Sequence, residues 1–126
     1  MPVMSSVTLN SKAYQPRGRD GDVAKWALVG DASFGGATST ITESVRGPSK
    51  DGVNRVQFKL TIPKAAASDS ACACTGQKLN QAIFNIEGVI PDQWTAAERE
   101  DAQLRATALA ASTFFVAAVK DLNPAY

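Results

Sequence analysis

The chain has 126 residues, 44% of them hydrophobic and 20% charged, with a formal net charge of +1. That length and balance fit one globular domain over 1–126 with its own core, and exclude a disordered polyelectrolyte. Near-neutrality excludes a basic tail that gathers nucleic acid indiscriminately, and the absence of histidine removes the commonest general base and metal ligand.

Val7–Tyr14 alternates and runs into QPRGRDGD, a cluster of turn formers, after which Val23–Val29 reads as another strand. An N-terminal hairpin over 7–29 is therefore predicted, with a main sheet over 31–90. Asp31–Ala37, holding Gly35-Gly36, is read as a short strand ending in a bend. Thr38–Lys64 then gives two strands turning at Gly47–Gly52. In the second, Val56, Phe58, Leu60 and Ile62 point one way, and Arg55, Gln57, Lys59 and Thr61 the other. In the first, Ile41 and Val45 share one face, and Thr40, Thr42, Ser44 and Arg46 share the opposite one. One face of this pair is oily. The other carries hydroxyls, amides and cations, a chemistry suited to phosphates and bases.

Residues 64–77 form a small, polar loop with almost nothing to contribute to a core. It carries both cysteines, Cys72 and Cys74, too close in sequence to bridge each other easily and without the partners a zinc site requires. Free thiols and disulfides between subunits both stay open. Lys78–Ile90 reads as a further strand, with Gly88 marking a twist or bulge.

After Pro91 the period changes to that of a helix. Thr95 opens a capping-box pattern with Glu98, and the helical region is predicted over 95–122, stopped by Asn123-Pro124. Leu104, Ala108, Ala111, Phe115, Val119 and Leu122 recur at helical spacing, and Ser112-Thr113 marks a kink or second start. Strands first and helices last is the order of an α+β domain with helices on one sheet face.

The charge is segregated although it nearly cancels. Arg46, Lys50, Arg55, Lys59 and Lys64 share a span whose only acid is Asp51, whereas Asp92, Glu98, Glu100 and Asp101 cluster at the helical start. Burial poses the sharper question. Each large side chain of the oily face is worth about 1.5–3 kcal/mol when buried, and one short helical arm is little cover for a sheet of about five strands. A homodimer, each subunit lending helices to the other, is the expected solution, with Phe58, Leu60, Leu104, Phe115 and Val119 in its packing.

The opening MPVMSSVTLNSKAY lacks the charged start and apolar run of a signal peptide, and no stretch reaches the roughly 18–20 apolar residues of a membrane span. The expectation is a protein made in a cytoplasm, with no membrane partner.

Taken in order, Ser44–Arg46 (SVR), Asn54-Arg55 with K-x-x-x-P-K ending at Lys64, Leu79-Asn80 and the terminal Tyr126 form a set. This set resembles the coat proteins of the single-stranded RNA bacteriophages, the levivirus group. Some members also carry two cysteines in the loop after P-K. The resemblance implies an N-terminal hairpin, a five-stranded antiparallel sheet and two C-terminal helices, interlocked in a homodimer. It further implies assembly into an icosahedral shell, a polar sheet face turned toward the genomic RNA, and binding of an RNA hairpin that represses translation. Carried over by position, the RNA contacts are Thr42, Ser44 and Arg46, then Arg55, Gln57 and Lys59, then Asn80. Thr40 stands where some relatives have lysine, and Lys78 where some have a stacking tyrosine; Thr61 extends the same face. Arg46, Arg55 and Lys59 would neutralise phosphates, while Thr42, Ser44, Gln57 and Asn80 would bond bases or sugars.

An enzyme is poorly supported, because neither cysteine has a histidine to activate it and the acids near Glu98 fit a helix N-terminus. No cofactor, metal or small-molecule substrate is expected. The competing reading is a cellular dimeric RNA- or ligand-binding module that uses the polar sheet face.

Overall fold

The computed structural model describes residues 3–29, 38–48, 50, 52–65 and 78–125, with backbone alone at 65, 78 and 79. The strand expected at Asp31–Ala37 and both cysteines lie outside the described residues. The chain falls into two compact units, Met1–Val89 and Ile90–Tyr126.

The first unit is an antiparallel sheet whose strands lie side by side in chain order. They are β1 (Val7–Leu9), β2 (Lys12–Asp20), β3 (Val23–Leu28), β4 (Thr40–Arg46), β5 (Val53–Ala65) and β6 (Lys78–Pro91). The extra strand relative to five comes from the N-terminus. Asn10 and Ser11 both adopt positive φ, 49° and 64°, and the two-residue turn splits Val7–Tyr14 into β1 and the start of β2. QPRGRDGD is corrected in the same way: it is mostly strand. The register shifts between Pro16 and Gly18, where Gly18 at φ 97° absorbs a bulge, and the chain turns only at Gly21-Asp22.

Alternation and register divide the sheet into two grids. On one side run the rungs Pro16–Trp26–Ile41–Leu60 and Arg19–Ala24–Glu43–Phe58, with Val45–Val56 beyond them. Tyr14, Ala24, Trp26 and Ile41 form the buried cluster, and Phe58 and Leu60 pack against it. Trp26 donates its Nε1–H to the carbonyl of Ser5 at 2.9 Å, which ties the N-terminal segment to the sheet.

Tyr14 adds a second cross-tie. Ser39 Oγ donates to the Thr61 carbonyl at 2.8 Å and lies 2.9 Å from the Tyr14 hydroxyl. Since the serine proton is committed to Thr61, Tyr14 is the donor to Ser39, and the relay joins β2 to β5. Tyr14→Phe should cost about 0.5–1.5 kcal/mol, and Ser39→Ala about 1–3 kcal/mol, because it strips two buried groups of their partner. Urea midpoints of the disassembled protein read both; three identical midpoints would show the relay to be idle.

In the second unit Thr95 caps α1 (Ala96–Ala110). Glu98 N donates to Thr95 Oγ1 at 3.3 Å, and Thr95 N donates to Glu98 Oε1 at 3.1 Å, the reciprocal pair expected from the sequence. Ser112 then caps α2 (Thr113–Lys120), accepting from Phe115 N at 3.3 Å, and the two helices bend by 47° at this break. Among the described residues no single helix is long and apolar enough to cross a membrane. Neither helix has a buried residue; Leu104, Leu109, Phe114, Phe115, Val116 and Val119 are all exposed.

Candidate nucleic-acid interface

The opposite grid of the sheet is polar, and it gathers the residues singled out from the sequence. β4 and β5 pair in register as Thr40–Thr61, Thr42–Lys59, Ser44–Gln57 and Arg46–Arg55. Eight side chains chosen from alternation thus meet as four rungs on one surface. Burial of the oily face specifies this register, since a slip of one residue would have sent half of them to the oily side. Arg46, Arg55, Gln57 and Lys59 are exposed, while Thr40, Thr42, Ser44 and Thr61 are half-buried between neighbouring strands.

Register adds one residue that strand-by-strand reading missed. Lys25 on β3 pairs with Thr42, so the rung reads Gly18–Lys25–Thr42–Lys59, with an ammonium on either side of the threonine. Its signal in the sequence was the alternation Val23, Lys25, Ala27, which gives these residues a shared face without saying what they stand beside. Of the acids on this surface, Asp20 pairs with Val23 at the end of the β2–β3 hairpin.

β6 follows β5 at the edge of the sheet. Ile86 lines an apolar hollow with Phe58 and Leu60. Alternation back along the strand takes Asn80 to the same side as Ile86, and gives Asn85 and Glu87 the polar side. The side chain of Lys78 lies outside the described residues.

Electrostatically the end of the ladder is the most telling feature. Arg46 and Arg55 stand directly opposite each other, an arrangement that costs stability unless an anion lies between the guanidinium groups. With Lys25 and Lys59 two rungs away, the surface presents four cations among hydroxyls and amides, at spacings a phosphate backbone can follow. Among the described residues there is no group of three or more metal-ligating side chains.

A model of the levivirus coat protein family matches residues 5–126. The chain belongs to that family. A search of curated protein sequences found no match. Solved structures share its fold at low identity. The virus-like particle of Beihai levi-like virus 21 aligns with a TM-score of 0.85 and 20% identity over 99% of both chains. The particle of bacteriophage ESE058 gives 0.80 and 15% over 99% of this chain and 100% of that one. The capsid protein of bacteriophage GA gives 0.75 and 18% over 95% of each. Like them, this coat protein has a curled antiparallel sheet followed by two helices, so its role is structural, in a capsid, and not enzymatic. A levivirus coat protein is a virion component, and it associates with copies of itself.

Proposed function

We propose that this coat protein forms a homodimer in which the helices of each subunit cover the apolar face of the other's sheet. Dimers then build an icosahedral shell with the polar rungs facing packaged RNA, and the same surface binds an RNA hairpin to repress translation. The protein is made in the cytoplasm of a host bacterium and functions in the virion. The observation that carries the reading is the four-rung polar grid, crowned by the Arg46–Arg55 pair and backed by Lys25. It places no apolar demand on its surroundings and calls for an anion.

The roles divide by chemistry. Lys25, Arg46, Arg55 and Lys59 neutralise phosphates; Thr40, Thr42, Ser44, Gln57, Thr61 and Asn85 offer donors and acceptors to bases and 2′-hydroxyls. Without an aromatic platform among the rungs, packaging rests more on charge than on base stacking, so sequence selectivity is modest.

Recombinant protein purified from bacteria should form hollow spherical particles in electron micrographs and contain host RNA. Dimers alone at every salt concentration and pH would instead support a binding module. That alternative has one feature in its favour, the hollow of about 340 Å³ on the apolar face, a size within the roughly 300–1,000 Å³ of ligand pockets. Among the described residues its wall offers a single polar side chain, Glu43, where small-molecule sites set several polar groups to orient a ligand. The hollow fits inserted protein side chains better.

A further inference from the structure

The apolar grid contains two charges that its packing does not need. Arg19 and Glu43 occupy one rung, Arg19–Ala24–Glu43–Phe58, separated by the small buried Ala24. Both line the same hollow beside Met4, Val7 and Trp26. Their backbones are two strand spacings apart, about 9–10 Å. Among the described residues the ion pair is not this one but Arg105–Asp101 on α1, at 2.9 Å with both side chains largely exposed.

α1 offers the matching arrangement. At 100° per residue, Leu104 and Leu109, its two large aliphatic side chains, lie about 140° apart around the axis. Asp101 and Arg105 fall inside that arc. Glu98 falls there too, but it is held in the cap by Thr95. A helix that turns both leucines toward a sheet therefore brings the Asp101–Arg105 pair with it. The two charges are one turn apart, about 6 Å along the axis, and long side chains can bridge the difference in span.

We infer that Glu43 of each subunit pairs with Arg105 of the other, and Arg19 with Asp101, as a four-charge network inside the helix-on-sheet contact. This rests on the dimer proposed above and specifies its polar lock. The occupant is a second copy of this chain because the chain itself carries both halves: an apolar sheet face with one cation and one anion, and a helix face of two leucines with the opposite pair. Covered by an uncharged helix, Glu43 and Arg19 would lose water and gain nothing, a penalty of the kind that makes half-broken buried pairs strongly unfavourable. Covered by α1, each finds its counterpart. The lock also discriminates among partners, since an apolar helix lacking the pair is rejected.

The decisive experiment uses the full chain and mixes variants. Glu43→Arg alone and Arg105→Glu alone put like charges together at both symmetry-related contacts, so each should weaken dimerisation at least tenfold and abolish particles. Co-expressed, the Glu43→Arg chain supplies a sheet that matches the Arg105→Glu helix, while the remaining contact is native. Native mass spectrometry should then show the mixed dimer in preference to either homodimer. Because such reversals can damage folding, Glu43→Gln and Arg105→Gln provide a second route. Each should weaken the dimer severalfold, and the double variant should be little weaker than either single one. Additive losses in that cycle, or co-expression without mixed dimers, overturn the network while leaving the dimer itself intact. A native chain that is monomeric at micromolar concentration, or one whose mass includes a bound apolar molecule, overturns the helix-on-sheet dimer instead.

Discussion

Phe115→Asp should leave no dimer and no particle. Phe115 is exposed in the isolated chain, on a helix with no buried residue, yet it belongs to a run of bulky apolar groups: Phe114, Phe115, Val116 and Val119. That surface has a reason to exist only if something covers it, and the sheet presents an equally unfilled apolar hollow around Trp26, Ile41, Phe58 and Leu60. Replacing the ring forfeits about 2–3 kcal/mol of burial and introduces an unpaired carboxylate at a further cost of several kcal/mol. A twofold contact contains the residue twice, so a conservative loss is about 6 kcal/mol, or about four decades in dimer affinity. Sedimentation at micromolar concentration reads the outcome. A soluble, normal dimer from this variant would mean that α2 lies outside the contact. Leu60→Asp is the reciprocal check from the sheet side and should fail in the same way.

The features legible in the sequence are those set by local periodicity and local caps. Alternation through Thr40–Arg46 and Val53–Lys64 needs no tertiary information, and both faces of the β4–β5 pair followed from it. The capping box at Thr95 and the second start at Ser112 are likewise decided within four residues. Turns lacking the usual residues were harder to read. Asn10-Ser11 takes two left-handed conformations without a glycine, so the β1–β2 turn lay hidden inside an apparently continuous strand. The opposite error came from Pro16, Gly18 and Gly21, where composition announced a loop but one bulge let the strand run on to Asp20. Relations between strands distant in sequence were out of reach. Lys25 meets Thr42 only through the β3–β4 register, and the face of β6 becomes evident only once Ile86 is seen beside Phe58. Glu43 shows how a visible residue is passed over: its position between Ile41 and Val45 already assigns it to the oily face, where a carboxylate is anomalous.

Lys25→Ala with Lys59→Ala should reduce the RNA carried by assembled particles while leaving the dimer unchanged. Both ammonium groups flank Thr42 in one rung of the polar grid, and neither touches the buried cluster on the other side of the sheet. If each meets a phosphate, their loss lowers the slope of log affinity against log salt by about 1.4–1.8 for every subunit engaged, since one contact contributes about 0.7–0.9. At moderate salt this is one to two decades of affinity, enough to be seen as a fall in the 260/280 nm absorbance ratio of purified particles. Lys25 is the more searching of the two. Its assignment depends on the β3–β4 register, whereas that of Lys59 follows from alternation within a single strand. Lys25→Ala alone should therefore lower the salt slope by about as much as Lys59→Ala alone. A normal slope for Lys25→Ala beside a reduced one for Lys59→Ala would confine the RNA surface to β4 and β5. Full RNA content in the double variant would remove the polar grid from the inside of the shell altogether.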